Sequence, residues 1–112
     1  SITDCLSEHL VQQKNAALRA QIDTFTLKSQ ARKVRQVKNA LVEVERAVST
    51  FPSSGTDIAK SALVAASKST SKSVGNLLKV QAKRPTRTQF ASAQRRARQS
   101  ASGLSDLLAR AR

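Results

Sequence analysis

Tryptophan, tyrosine and methionine are missing from the chain, and phenylalanine occurs only three times. A core without large rings has to be aliphatic, with Ala filling between Leu, Val and Ile. Such a composition favours helices, since strands draw on aromatic and β-branched residues. The same scarcity leaves no interleaved aromatics for stacking on nucleic-acid bases. The one cysteine, Cys5, excludes an internal disulfide, and with His9 as the only histidine it cannot complete a zinc site. Cys5 is read as packed or inertly exposed near the first turn. A bond between two chains through Cys5 stays open but is not expected. Apolar runs extend over a few residues only, too short to cross a bilayer.

The patterns that carry catalysis are missing as well. His9 stands beside Glu8 with no serine or aspartate arrangement that would make it a general base. There is no GxxxxGK[ST], no GxGxxG and no HExxH. The expectation is a protein that is not an enzyme and that uses no cofactor, metal or small-molecule substrate.

Acidic residues are few and unevenly placed. Seven Asp and Glu face 20 Lys and Arg, and none lies between Ile58 and Ser105. Residues 1–56 carry a net +3 and residues 57–112 a net +10. A field of that sign attracts nucleic acid, anionic lipid, sulfated polysaccharide or an acidic protein face. With 112 residues the chain is read as a single domain, 1–112, with a modest core. The start at Ser1, without a charged apolar leader, is read as that of a processed secreted chain whose signal peptide has been removed.

Gly and Pro are scarce, and they punctuate the chain. The cluster FPSSG at 51–55 divides it in two, and Pro85 divides the second part again. The fold expected is all-α, a compact bundle of about four helices over approximately 5–26, 30–50, 57–83 and 88–110. Val34, Val37, Leu41, Val44, Val48 and Phe51 form an unbroken seam on the second helix, which Pro52 stops. Leu10, Val11, Leu18, Ile22 and Phe25 form a stripe on the first, which starts after Asp4. That stripe lies roughly 110° around the helix from the second seam, which places a bend or break between Thr24 and Gln30. One long bent helix is the alternative.

The third helix is expected to open at Ser54–Thr56 with Asp57 near its positive end. Its inner face is read as Ile58, Ala62, Ala66, Ser69, Ser73, Leu77 and Val80, flanked by Leu63 and Val74. In the fourth helix Phe90, Ala97, Ala101, Leu104, Leu108 and Ala111 line up on one side, behind a cap at Thr86 or Thr88. This settles how QAKRPTRTQFASAQRRARQ at 81–99 is read: a helical turn and a helix whose arginines face solvent, not a loose arm.

The candidate contact residues follow from that geometry. Lys68, Lys72, Lys79 and Lys83 fall within a narrow arc of the third helix, provided that it continues through Gly75. Arg95, Arg96 and Arg98 lie off the fourth seam, and Arg84 and Arg87 stand on either side of Pro85 and Thr86 ahead of that helix. These nine are the candidates for binding an acidic protein face or a polyanion.

The start SITDCLSEHL, the single cysteine and the basic helical stretch NLLKVQAKRPTRTQF resemble the anophensin and albicin family of mosquito salivary proteins. That resemblance covers the whole chain as a profile of size, charge and helix content. It implies a secreted, non-enzymatic inhibitor of host plasma defence and haemostasis. The inhibitor would act either on the alternative-pathway convertase of complement or on contact-pathway factors. A second likeness is local: AKSALVAASKSTSKSVGNLLK is similar to the Ala- and Ser-rich helices of talin-rod bundles, although those are acidic or balanced. It implies a fragment of a cytoskeletal bundle. A helical module for heparin-like chains or nucleic acid is the remaining alternative.

Overall fold

A computed structural model describes residues 2–110, excepting the side chains of Thr3 and Asp4. It consists of four α-helices: α1 (Ile2–Thr24), α2 (Ala31–Ser49), α3 (Lys60–Ala82) and α4 (Arg87–Arg110). No strand occurs among the described residues. α1 begins at Ile2, ahead of the start expected after Asp4, which therefore lies inside the helix and not at its cap; the last seam position, Ala111, lies outside what is described.

α1 and α2 are separate helices, not one bent rod. No Gly or Pro enforces the break, so the turn residues do it by binding their own backbone. Thr26 N–H donates to Ser29 Oγ at 2.8 Å, and Lys28 N–H donates to Thr26 Oγ1 at 3.2 Å. Short hydroxyl side chains offer the chain this alternative to helical bonding.

The connection between α2 and α3 differs from the expectation. α3 begins at Lys60, and Asp57 lies in the preceding bends, outside the helix. Thr56 Oγ1 donates to the Ile58 carbonyl at 2.6 Å, and Ala59 is extended. Ile58 is thereby buried from the connection itself, in the same core that takes Phe51. Gly55 supplies the turn's left-handed residue, φ +77°.

α4 starts on a reciprocal cap. Gln89 N–H donates to Thr86 Oγ1 at 3.1 Å, and Thr86 N–H donates to Gln89 Oε1 at 3.0 Å, so two end amides are satisfied by side chains. Just ahead, Lys83 N–H closes α3 on the Val80 carbonyl at 3.1 Å, and Arg84 turns the chain with φ +52°.

The helices alternate in direction, and each packs on its sequence neighbours, α4 closing the ring on α1. Antiparallel pairing is visible in the polar contacts between α1 and α4, where Gln12 meets Ser105, Asn15 meets Ala101 and Gln94 meets Ile22. The result is a rod of 47 × 22 × 17 Å. No described helix is long and apolar enough to cross a membrane.

Inside the ring lie Val11, Leu18, Ile22 and Phe25 of the first stripe, Val37, Val44 and Val48 of the second, and Phe90, Ala97, Ala101, Leu104 and Leu108 of the fourth. Two seam readings are corrected. Leu10 is exposed, because the buried row runs through Val11, Asn15, Leu18, Ile22 and Phe25 and Leu10 falls beside it. On α3 the buried row is Leu63, Ser67, Thr70, Val74 and Leu77, whereas Ser69 is exposed. The bulky residues set the rotation of a helix whose other positions are uniformly small. Thr70 tolerates burial because its hydroxyl donates to the Ala66 carbonyl at 2.9 Å.

Candidate anion-binding end of the bundle

Alternating helix direction gathers distant parts of the sequence at the same end. The turn at 25–30 and the turn at 83–86 share one end of the rod, and two glutamines tie them together. Gln81 Nε2 donates to the Ser29 carbonyl at 2.7 Å and to the Thr26 carbonyl at 3.3 Å. Gln94 Nε2 donates to the carbonyls of Ile22 and Phe25 at 3.0 and 2.9 Å. Beneath them the Phe25 and Phe90 rings pack with centroids 5.8 Å apart. The carbonyls at the end of α1, normally left open, are thus held by neutral amides. No cation among the nine candidates is used up in closing this turn.

The bundle divides naturally at the level where Asn15 bonds Ala101 and Ser73 bonds Ser100. Residues 15–42 and 73–101 run from that level to the turn end. They contain 13 of the 20 Lys and Arg and one of the seven acidic residues, a net +12. The remaining segments hold seven basic and six acidic residues, a net +1. Nearly the whole excess charge of the protein therefore sits on half of a rod 47 Å long. At physiological salt, charges act on one another over about 8 Å, so neighbouring helices at this end present one field to a partner.

All nine candidate cations are exposed, but the structure divides them between faces. Lys79 and Lys83 lie exposed towards this end of α3, Lys83 beside α4, and Lys72 and Lys68 continue the row past the mid-level. Arg96 stands across the α3/α4 seam from them. Between these rims runs an open groove of about 620 Å³ lined by Asn76, Val80, Lys83, Pro85, Thr88, Gln89, Ser92, Ala93 and Arg96. Arg87 and Arg98 turn to the opposite side of α4, where a groove of about 540 Å³ also takes in Phe25, Leu27, Lys28, Phe90 and Gln94. Arg84 sits at the tip, and Arg95 faces outward.

Arg98 is not a free cation: its Nε donates to Asp23 Oδ1 at 2.7 Å, joining α4 to the end of α1. Asp23 is the one carboxylate of this half, and both partners are half-exposed, so the pair adds little to stability. Its consequence is electrostatic: it neutralises one spot and leaves the α3/α4 face wholly positive.

Sequence reasoning missed Arg19, Lys28, Arg32, Lys33, Arg35 and Lys38, which the antiparallel course brings to this same end. Lys33 is partly engaged, donating to Gln21 Oε1 and Thr24 Oγ1. The signal that could have found them is the amphipathic pattern of the first two helices combined with a six-residue turn, 25–30, which forces a reversal.

The end presents exposed cations beside half-buried apolar residues. Its grooves hold no histidine or cysteine, and the three phenylalanines are buried, so no exposed ring is available for stacking. Cys5 and His9 lie on α1 towards the far end. No group of acidic, histidine and cysteine side chains that could hold a metal occurs among the described residues. The chain matches no protein-family model, no curated protein and no solved structure.

Proposed function

We propose that the protein is a non-enzymatic binding protein that docks the basic half of its helical rod onto an anionic face of another protein. The observation that carries this reading is the segregation of a net +12 onto one half of a bundle whose two turns at that end are tied together by the amides of Gln81 and Gln94. A rigid surface loses little conformational freedom when it binds, and a concentrated field of one sign speeds encounter. A protein face suits this end better than single-stranded nucleic acid, because the rings are buried and the grooves between the cations have apolar floors.

The resemblance to the salivary family gives the partner a class. In this reading the protein is extracellular and inhibits host plasma defence, at the complement alternative-pathway convertase in preference to contact-pathway factors. The test adds micromolar protein to serum and follows alternative-pathway lysis of erythrocytes beside contact-activated clotting. A delay in one of the two supports the reading, and no change in either defeats it.

The even spread of cations around the end favours a second reading, a module for sulfated polysaccharide. Its mark is steepness in salt: binding that falls as a power of the salt concentration reports the number of ions released. Binding to heparin that survives moderate salt without change would argue against it.

A further inference from the structure

We infer that the α3/α4 groove is the seat of the contact, and that it takes an acidic amphipathic helix from the partner protein. This rests on the docking reading given above and narrows it to one place and one shape of ligand.

Three observations meet there. First, the floor is apolar: Val80, Pro85 and Ala93 are buried or half-buried between the two helices. Val80 is itself packed on the core, so the floor is held from beneath. Second, a cation lines each side of the groove, Lys83 from the α3 side and Arg96 on α4, with the exposed Lys79 about one turn back along α3. No acidic residue occurs anywhere from 58 to 105, so neither helix supplies a counter-charge of its own. Third, the walls are straight. Asn76 to Lys83 spans about 10 Å along α3, roughly two helical turns.

Each feature selects against other occupants. A sulfated chain has no apolar side to set against Val80 and Ala93, and it would be equally satisfied elsewhere on the basic half. An extended peptide gains most where a sheet edge offers backbone bonds, and no strand exists among the described residues. A helix fits, because the seam between two antiparallel helices is a groove that accepts the ridge of a third. Such a helix needs one or two leucines or other aliphatics at a spacing of three or four for the floor. It needs carboxylates on both flanks to meet Lys79, Lys83 and Arg96. The other cations of the end then act on encounter, while the buried anchor fixes the lifetime of the complex.

The test uses the full chain, labelled with nitrogen-15, and two synthetic helical peptides of equal negative charge. In one, two leucines one turn apart are flanked by glutamates. In the other, both leucines are replaced by alanine. The leucine peptide is expected to bind at least about tenfold more tightly, which corresponds to about 1.4 kcal/mol, and to shift the amide signals of Asn76, Val80, Ser92 and Ala93. Ser92→Phe, which fills the groove without altering charge, is expected to remove that advantage while leaving the alanine peptide's affinity as it was. A circular dichroism spectrum like that of the unchanged protein shows that the variant still folds. Equal binding of the two peptides overturns the groove but keeps the docking reading, since the basic half would then act by charge alone. Failure of both peptides to bind at low salt overturns the groove and the docking reading together.

Discussion

Asn15 donates its Nδ2 to the carbonyl of Ala101 at 2.8 Å, across 86 residues of sequence, and the same group reaches Ser105 Oγ at 2.7 Å. The side chain is fully buried in an otherwise aliphatic layer, and its Oδ1 meets no donor of the protein. This polar contact fixes the register of α1 against α4, and with it the level at which the two halves of the rod divide.

A buried acceptor without a partner costs about 1–3 kcal/mol, which offsets the roughly 0.5–1.5 kcal/mol that each of the two donor bonds returns, so apolar contact at this position decides the sign. Asn15→Leu keeps roughly the same shape and removes the unpaired oxygen. The expected result is a gain of about 1 kcal/mol, read as a midpoint several degrees higher in thermal unfolding followed by circular dichroism. Asn15→Ala, which leaves a void and gives no apolar contact in exchange, should move the midpoint down. A lower midpoint for Asn15→Leu would mean that the contact with Ser105 and Ala101 is worth more than the orphaned oxygen costs.

The turn between α3 and α4 allows a paired prediction. Thr86→Ala removes one arm of the reciprocal cap with Gln89 and should cost about 1 kcal/mol. Arg84, at φ +52°, holds a backbone conformation that glycine adopts without a clash. Arg84→Gly should therefore stabilise, by about 0.5 kcal/mol, even though it lengthens the list of unfolded conformations. Urea unfolding of both variants checks the signs. Destabilisation by Arg84→Gly would show that this arginine makes contacts that its backbone angle does not reveal.

These elements differ in how far they could be read beforehand. The seams of α2 and α4 were legible because Val37, Val44, Phe90, Leu104 and Leu108 are large, and their neighbours on the helix are polar. The inward face of α3 was not, since Ala62, Ala66, Ser69 and Ser73 suggest a face as well as Ser67 and Thr70 do. Only packing of Leu63, Val74 and Leu77 decides the rotation. The buried Asn15 carried no signal at all in a stripe of aliphatics. The site was half-legible. Spacing singled out the four lysines from 68 to 83 and the arginines 95, 96 and 98, but the division of charge between residues 1–56 and 57–112 cut across the fold. What folding does is set 15–42 beside 73–101, which adds Arg32, Arg35 and Lys38 to an end that looked complete without them.

Crowding so many like charges on half the rod works against the folded state. Raising sodium chloride from low concentration to about 0.5 M shortens the screening length to a few ångströms and should raise the unfolding midpoint. Sulfate should do so at lower concentration, because a divalent anion can sit between neighbouring cations. Removing the repulsion at source gives the same answer: Arg96→Gln should be more stable than the unchanged protein at low salt and equal to it at high salt. A midpoint that falls with added salt would show that attraction between the halves outweighs repulsion within one.

The decisive comparison is between equal charge changes at the two ends. Lys79→Glu, Lys83→Glu and Arg96→Glu together alter the net charge by six and reverse both cations that line the α3/α4 groove, with one beside it. Arg46→Glu, Lys60→Glu and Lys68→Glu alter it by the same amount in the half that carries a net +1. If the whole molecule acted as a diffuse cation, both triple variants would lose affinity for an anionic partner alike. If the basic end is the contact, the first set should lose at least about a hundredfold and the second only a few-fold, mostly in the association rate. Lys60 donates to the Ser49 carbonyl at 2.8 Å, so the second set is checked for folding before it is compared. Surface plasmon resonance on immobilised heparin and on the convertase, each at two salt concentrations, separates the outcomes. Equal losses on both surfaces would remove the special standing of the turn end, because position on the rod would then matter less than total charge.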